Sequence, residues 1–109
     1  DFDMLYGHRN DVKGYTDVLK AFDTRLHEFL PKMCKDDVLM ITADHGCDPG
    51  FPGTDHTREY VPIFCCGEKV KNGVNLGTRK SYADISATIA EFFGISYSGD
   101  GESFLGEIM

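Results

Sequence analysis

Three of the four histidines in this sequence lie close to an aspartate. The pairs are Asp3 with His8, Asp44 with His45, and Asp55 with His56. Neutral imidazole nitrogens and ionised carboxylates are the ligands that divalent metal ions bind when several of them converge on one point. A single Asp–His pair is also common as a helix cap or as a hydrogen bond that fixes a histidine tautomer. Three such pairs in one short chain favour a metal centre.

These pairs need rigid elements to bring them together, and the apolar pattern predicts strands beside them. Residues 2–5 are predicted to be the end of one strand, residues 38–43 a strand buried on both faces of a parallel sheet, and residues 61–66 a further strand. Residues 44–60 are predicted to form a long, functional loop. Because ligands of open α/β sheets bind beyond the carboxyl ends of the strands, we expect Asp3 and Asp44 to lie at one such edge.

Two amphipathic helices are predicted around these strands. Apolar residues recur every three or four positions after Val12, which predicts a helix with one buried face that Pro31 kinks or ends. Ser81 and Asp84 resemble a capping box, and the helix that follows should stop at Gly94. Residues 99–109 are predicted to be a weakly ordered tail with an apolar end. This order of elements predicts a doubly wound α/β layer whose sheet is incomplete in this chain.

Length and composition limit the classes of function. The chain has 109 residues, enough for one domain, and 11 basic against 18 acidic residues give a net charge of −7. That charge speaks against nucleic acid or an anionic membrane as a partner, and no apolar run approaches the roughly 20 residues of a membrane span. The four cysteines form no Cys-x-x-Cys pair, so reduced thiols and a cytoplasmic location are expected. The start at Asp1 favours the C-terminal part of a longer protein.

Three motifs carry a resemblance to a known family. Asp-Phe-Asp-Met-Leu-Tyr-Gly-His-Arg opens the chain, Ala-Asp-His-Gly-Cys-Asp-Pro spans 43–49, and Gly-Thr-Asp-His-Thr-Arg-Glu spans 53–59. In this order and spacing they resemble the alkaline phosphatase superfamily of two-metal phosphotransferases, and within it the phosphopentomutase family. The similarity covers essentially the whole chain, 1–109, as the C-terminal part of the metal-binding core domain. It implies a three-layer α/β/α core with a largely parallel sheet.

The resemblance also implies an activity and a set of ligands. Such enzymes are isomerases that interconvert ribose 1-phosphate and ribose 5-phosphate, and the deoxyribose pair, with two Mn²⁺ ions. The implied ligands are Asp3, His8 and His56 for one ion, and Asp44 and His45 for the other. The threonine that becomes phosphorylated, one further ligand aspartate and the cap domain that binds the sugar are implied to lie upstream. The expected partners are then a pentose phosphate and the rest of the enzyme, and residues 1–109 alone should be inactive.

Other side chains in these motifs have roles that the sequence leaves open. Arg58 and Arg9 could each bind a phosphate through the guanidinium group, although surface and ion-pair roles are more common for arginine. Cys47 could be a thiolate ligand, but a small buried thiol is the better interpretation. Asp55 could accept a hydrogen bond from the ring of His56, or it could only turn the loop.

Two other functions compete with a pentose mutase. One is a different enzyme of the same superfamily, a cofactor-independent phosphoglycerate mutase or a phosphatase. The other is a non-catalytic module that holds zinc structurally, a type of site that relies on cysteine and has no open position. Cys65 and Cys66 disfavour that module, because successive side chains of a strand point to opposite faces and cannot bind one ion.

Overall fold

A computed structural model describes residues 2–109, which form three α-helices and two short β-strands. In chain order the elements are α1 (Val12–Phe29), β1 (Leu39–Thr42), β2 (Ile63–Cys66), α2 (Ala83–Phe92) and α3 (Leu105–Ile108). A π-helical turn (Phe2–Gly7) precedes α1, and a 3-10 turn (Leu30–Lys32) follows it. The predicted mixture of helices and strands is confirmed. No helix within residues 2–109 is both long and apolar enough to cross a membrane.

The two strands pair with each other in antiparallel fashion, with Thr42 opposite Ile63. An isolated antiparallel bridge between Gly46 and Thr57 pairs the same two segments of chain farther along. The prediction of a largely parallel sheet is therefore wrong for the strands within residues 2–109. The physical reason is the connection, because residues 43–62 turn the chain back without the helix that a parallel crossover uses. The three-layer core stays a prediction.

The first apolar segment is a helical turn and not the predicted end of a strand. The amide of His8 donates to the carbonyl of Asp3 at 2.9 Å, five residues back, which is the π-helical pattern. The ring of Phe2 packs edge-on against Tyr15 and Phe22 of α1, with centroids 5.7 and 6.2 Å apart. A run of four residues is too short for its periodicity to separate strand from helix.

Helix α1 begins and ends where the sequence predicts, but its apolar face is not buried. The Asp11 side chain caps it by accepting from the amide of Gly14 at 2.8 Å, and the helix stops before Pro31. No residue of α1 is buried among residues 2–109, and Phe22 remains 43% exposed. The helix packs on the turns at its two ends and not across the sheet, so the apolar stripe lies open. The prediction of a buried face is wrong for this part of the chain.

The hydrophobic core lies on one face of the strand pair and is completed by the end of the chain. Phe104 is 1% exposed and Ile108 is 2% exposed, and both belong to one buried cluster with Val70. Partly buried apolar side chains around them are Val38, Met40, Ile63, Cys65, Leu76 and Ile85. Alternate positions of β1 and β2 face this core, whereas Phe64 on the opposite face is exposed. Burial of each large side chain stabilises the fold by roughly 1.5–3 kcal/mol. The prediction of a weakly ordered tail is wrong, because Phe104 and Ile108 are buried. The strand predicted to be buried on both faces, β1, is half-buried on both, since Leu39, Met40 and Ile41 are each partly exposed.

A buried ion pair ties the tail to α2. Asp84 accepts from Arg79 Nε at 2.8 Å and from the amide of Glu102 at 2.9 Å. These two hydrogen bonds hold the pKa of the Asp84 carboxyl below its usual range. The predicted capping box is therefore not formed, because Asp84 binds the tail and not the start of its own helix. Gly94, with φ of +66°, ends α2 as predicted.

Candidate metal centre

The π-helical turn gives Asp3 and His8 a common direction. The hydrogen bond between their backbones closes one turn over five residues, so the two side chains lie on the same side. His8 Nε2 and Asp3 Oδ2 are 3.0 Å apart. Gly7 within this turn allows the loop after β1 to approach, since a Cβ there would lie 2.6 Å from the sulfur of Cys47. The unusual turn therefore builds the first pair of the centre.

Two hydrogen bonds join this turn to the loop that carries His56. The Nδ1 atom of His8 is hydrogen-bonded to the backbone carbonyl of Thr54, and Asn10 Nδ2 donates to the carbonyl of Gly53 at 2.8 Å. Because a carbonyl only accepts, Nδ1 of His8 donates in this hydrogen bond, which leaves Nε2 as the ring atom that can bind a metal. His56 follows two residues later, with Nε2 at 3.4 Å from Asp3 Oδ2. The backbone thus fixes both the tautomer of one histidine and the position of the next.

His45 approaches the same carboxylate from the end of β1. Its Nδ1 atom donates to the carbonyl of Gly46 at 2.8 Å, so Nε2 is again the ring atom that can bind a metal. That Nε2 atom lies 3.7 Å from Asp3 Oδ2. The ring stacks on His56 with centroids 3.7 Å apart and planes at 12°. The contact with Gly46, followed by the charges of Asp44 and Asp3, raises the pKa of His45.

One carboxylate oxygen, Asp3 Oδ2, therefore faces the Nε2 atoms of three histidines. The ligand atoms of Asp3, His8 and His56 all lie within 4.8 Å of one another, which is close enough for one metal ion to bind all three. One carboxylate and two imidazoles suit a divalent transition metal and leave coordination positions open. These ligands thus fit the divalent metal ion that the sequence predicts. They also leave coordination positions without a protein ligand, as catalytic metal sites do.

Asp44 is placed beside this cluster and is not one of its members. Its carboxylate is 91% exposed, and Oδ1 lies 3.8 Å from Nε2 of His45. The backbone of Asp44 is held more firmly, because the hydroxyl of Tyr82 donates to its carbonyl at 2.9 Å. The structure therefore brings Asp44 and His45 next to the other three predicted ligands. Their role as a second ligand group stays a prediction.

The remaining predicted side chains lie outside the cluster. Arg58, Arg9 and Asp55 are exposed and make no hydrogen bond or ion pair within the described part of the chain. Asp55 in particular makes no contact that would orient the ring of His56. Burial, together with the charges of Asp3 and Glu59, raises the pKa of the Cys47 thiol. Cys47 is not among the side chains whose ligand atoms converge within residues 2–109, and its interpretation as a structural residue stays a prediction.

Several residues that hold the centre were missed from the sequence. They are Asn10, Thr54, Thr57, Glu59 and Tyr82. Thr57 accepts from the amide of Asp48 at 2.7 Å and donates to the carboxylate of Glu59, which joins the two halves of the long loop. Only Asn10 carried a signal, since asparagine is favoured where φ is positive, as it is here at 53°. Backbone carbonyls such as that of Thr54 carry none.

An open groove of about 1040 Å³ adjoins the centre. It begins at His45 and Gly46, follows β2, and reaches Lys80 and Tyr82. Its volume lies at the upper end of the range for small-molecule sites. The groove therefore gives a ligand bound near His45 room to extend.

Comparison with known proteins agrees with a metal centre. A family profile described as the Metalloenzyme superfamily matches residues 1–97. A phosphopentomutase of Acetivibrio thermocellus is 58% identical over 109 residues, which is 100% of this chain and 28% of that protein. Phosphopentomutases of Caldanaerobacter subterraneus (58% identical, 99% of this chain, 28% of that protein) and Lachnoclostridium phytofermentans (56% identical, 100% of this chain, 28% of that protein) match equally well. The chain thus spans about 28% of the length of these relatives.

Proposed function

Because this chain belongs to the metalloenzyme superfamily, we propose that residues 1–109 form the C-terminal, metal-binding part of the core domain of a phosphopentomutase. Such an enzyme moves a phosphoryl group between the 1- and 5-positions of ribose or deoxyribose. The observation that carries the proposal is the convergence of three Nε2 atoms on Asp3 Oδ2, at 3.0, 3.4 and 3.7 Å. The identity of 58% to a phosphopentomutase over the full 109 residues supports the same activity.

The proposed site takes two divalent ions, with Mn²⁺ as the metal. Asp3, His8 and His56 hold one ion, and Asp44 with His45 holds the other. When bound, two ions in one site supply positive charge to the phosphoryl oxygens and lower the pKa of the attacking hydroxyl. The mixed oxygen and nitrogen donors are compatible with Mn²⁺, and the converging ligand atoms of residues 2–109 include no cysteine sulfur, which disfavours a structural zinc site.

The residues of this chain contribute orientation before any chemistry takes place. The carbonyls of Thr54 and Gly46 hold the rings of His8 and His45 with Nε2 free for a metal. The hydrogen bond from Asn10 to Gly53 keeps the loop of His56 against the first turn. Five ligands leave positions open for phosphate, for water and for groups from the rest of the protein. We assign the phosphorylated threonine, one further ligand aspartate and the cap domain to that remainder, so residues 1–109 alone should not turn over.

The substrate and its surroundings follow from the same proposal. Arg58 lies two residues after His56, is exposed and is free of ion pairs within residues 2–109, so its guanidinium is available to bind the substrate phosphate. The partners are a pentose phosphate and the rest of the same chain. All four cysteines are free thiols, which favours a reducing compartment, and the proposed location is the cytoplasm.

Phosphorus NMR of the complete protein containing residues 1–109 tests this function. With Mn²⁺ and ribose 1-phosphate, the proposal predicts that the signal moves to that of the 5-phosphate without release of inorganic phosphate. Release of inorganic phosphate would instead indicate a phosphatase. No change with metal bound would favour a phosphoglycerate mutase, which the same spectrum tests with 3-phosphoglycerate. A matched His27→Ala variant, altered at an exposed position of α1, should behave as the unmodified protein.

A further inference from the structure

Tyr82 comes directly before α2, and its side chain reaches the metal centre. Its hydroxyl crosses from this end of α2 to the end of β1 and donates to the carbonyl of Asp44 at 2.9 Å. The two residues are 38 positions apart in the sequence. Within residues 2–109 this is the only side-chain hydrogen bond to the backbone of Asp44. Its chemistry is simple, because a carbonyl can only accept and the phenol must donate.

The bonded carbonyl belongs to the peptide unit that joins Asp44 to His45. A peptide unit is planar, so its oxygen, its nitrogen and the Cα atoms of both residues move together. A hydrogen bond to the oxygen therefore restrains the plane of this peptide and the two Cα atoms from which both side chains extend. The Asp44 carboxylate is 91% exposed, and within residues 2–109 its one ion-pair contact is with Nε2 of His45 at 3.8 Å. Among the described residues, the backbone contact of the His45 ring is the hydrogen bond between Nδ1 and the carbonyl of Gly46.

We propose that Tyr82 is a positioning residue for the second metal ion: its hydroxyl orients the peptide shared by Asp44 and His45 so that both side chains address one ion. This inference rests on the proposed function. A purely structural role for Tyr82 is disfavoured, because the residue is 52% exposed and takes no part in the core of Phe104 and Ile108. Outer partners of this kind typically change metal affinity by 10- to 100-fold.

The test is a Mn²⁺ titration of the complete protein by electron paramagnetic resonance, comparing the unmodified protein with Tyr82→Phe. A His45→Ala variant identifies the binding step that belongs to the second ion. The control is Tyr97→Phe, which also removes a hydroxyl near the start of α2, one that donates to the carbonyl of Ala83 at 3.3 Å and accepts from the amide of Gly101 at 3.1 Å. The midpoint of urea unfolding of the metal-free proteins is measured in parallel.

We expect Tyr82→Phe to weaken the second binding step by about 10-fold or more. The first step should change less than threefold, and the unfolding midpoint should be no lower than that of Tyr97→Phe, which loses two hydrogen bonds where Tyr82→Phe loses one. Equal affinities in Tyr82→Phe and the unmodified protein would overturn the inference. So would a parallel loss of both steps with a lower unfolding midpoint, which indicates a structural role. An unmodified protein that binds no Mn²⁺ would overturn the proposed function together with this inference.

Discussion

The backbones of Gly46 and Glu59 approach each other so closely that a Cβ on Gly46 would lie 2.6 Å from the Glu59 nitrogen and 2.7 Å from its carbonyl oxygen. This contact joins the segment that carries His45 to the segment that carries His56. It is made of backbone atoms, which cannot rotate away as a flexible side chain could. The glycine is therefore a requirement of the metal centre as well as of the fold.

Gly46→Ala should consequently destabilise the complete protein by about 1–3 kcal/mol, the usual cost of forcing an extra methyl group into a packed contact. Chemical unfolding of the metal-free protein measures the change, and Mn²⁺ affinity should fall with it. Gly106→Ala is the matched control, because a Cβ at Gly106 meets nothing within 4 Å and lies in α3. Unfolding midpoints that coincide for the two variants would contradict the close contact.

His56→Ala should reduce mutase activity in the complete protein by at least about 100-fold, since removing a ligand costs more than removing a group behind one. The fold should change little, because His56 lies in an exposed loop. Rates from phosphorus NMR and the far-ultraviolet circular dichroism spectrum separate the two effects. His27→Ala, at an exposed position of α1, serves as the control. Activity of His56→Ala within threefold of the control would show that this histidine is not a ligand.

Asn10 contributes to stability in two separable ways. It adopts a positive φ of 53°, and its side chain donates to the carbonyl of Gly53 at 2.8 Å. Alanine at this position lacks the side-chain hydrogen bond and is strained at a positive φ. Asn10→Ala should therefore lower the free energy of unfolding by about 2 kcal/mol, roughly 1 from the backbone conformation and roughly 1 from the hydrogen bond. Asn10→Gly loses only the hydrogen bond, so it should unfold at a higher urea concentration than Asn10→Ala. The reverse order would show that the backbone conformation carries no strain.

The hydrogen bonds that Asp84 accepts from the amide of Glu102 and from Arg79 should make a contribution to stability that depends on pH. The folded-state pKa of Asp84 is lowered, so the folded protein releases this proton more readily than the unfolded chain does. The contribution is fully present above about pH 4, the usual range of an aspartate, and is lost as pH falls through the lowered pKa. The stability of Asp84→Asn should therefore fall less steeply below about pH 4 than that of the unmodified protein.

Urea midpoints measured between pH 2 and pH 7 test this, with Asp17→Asn as the control. Asp17 pairs with Lys13 at 2.8 Å on the open surface of α1, and such pairs contribute little because solvent screens them. Acid limbs of equal slope in the unmodified protein and Asp84→Asn would contradict the assignment.

Local signals in the sequence predicted the elements better than their packing. Asp11 and Pro31 mark the ends of α1 because capping and the missing proline amide act within a few residues. The burial of Phe104 depends on Val70 and on the strands, more than thirty residues away, and nothing near Phe104 in the sequence encodes it. The exposure of the apolar face of α1 and the antiparallel pairing of β1 with β2 likewise depend on residues far away in the sequence.

The candidate centre shows the same division. Residue types and spacing predicted Asp3, His8, His45 and His56, which the structure brings together. The π-helical turn that aligns Asp3 with His8 had no sequence signal, since a strand and a turn share the same short apolar run. The groups that hold the histidines are backbone carbonyls and a tyrosine hydroxyl, whose roles depend on three-dimensional placement alone.

The central claim is the set of metal ligands, and crystallography of the complete protein with Mn²⁺ at the manganese absorption edge tests it most directly. The account predicts two anomalous peaks about 3.5–4 Å apart, the usual spacing of two-metal sites. One should be bonded to Asp3, His8 and His56, and the other to Asp44 and His45. A single peak, or peaks bonded to other side chains, would contradict the account.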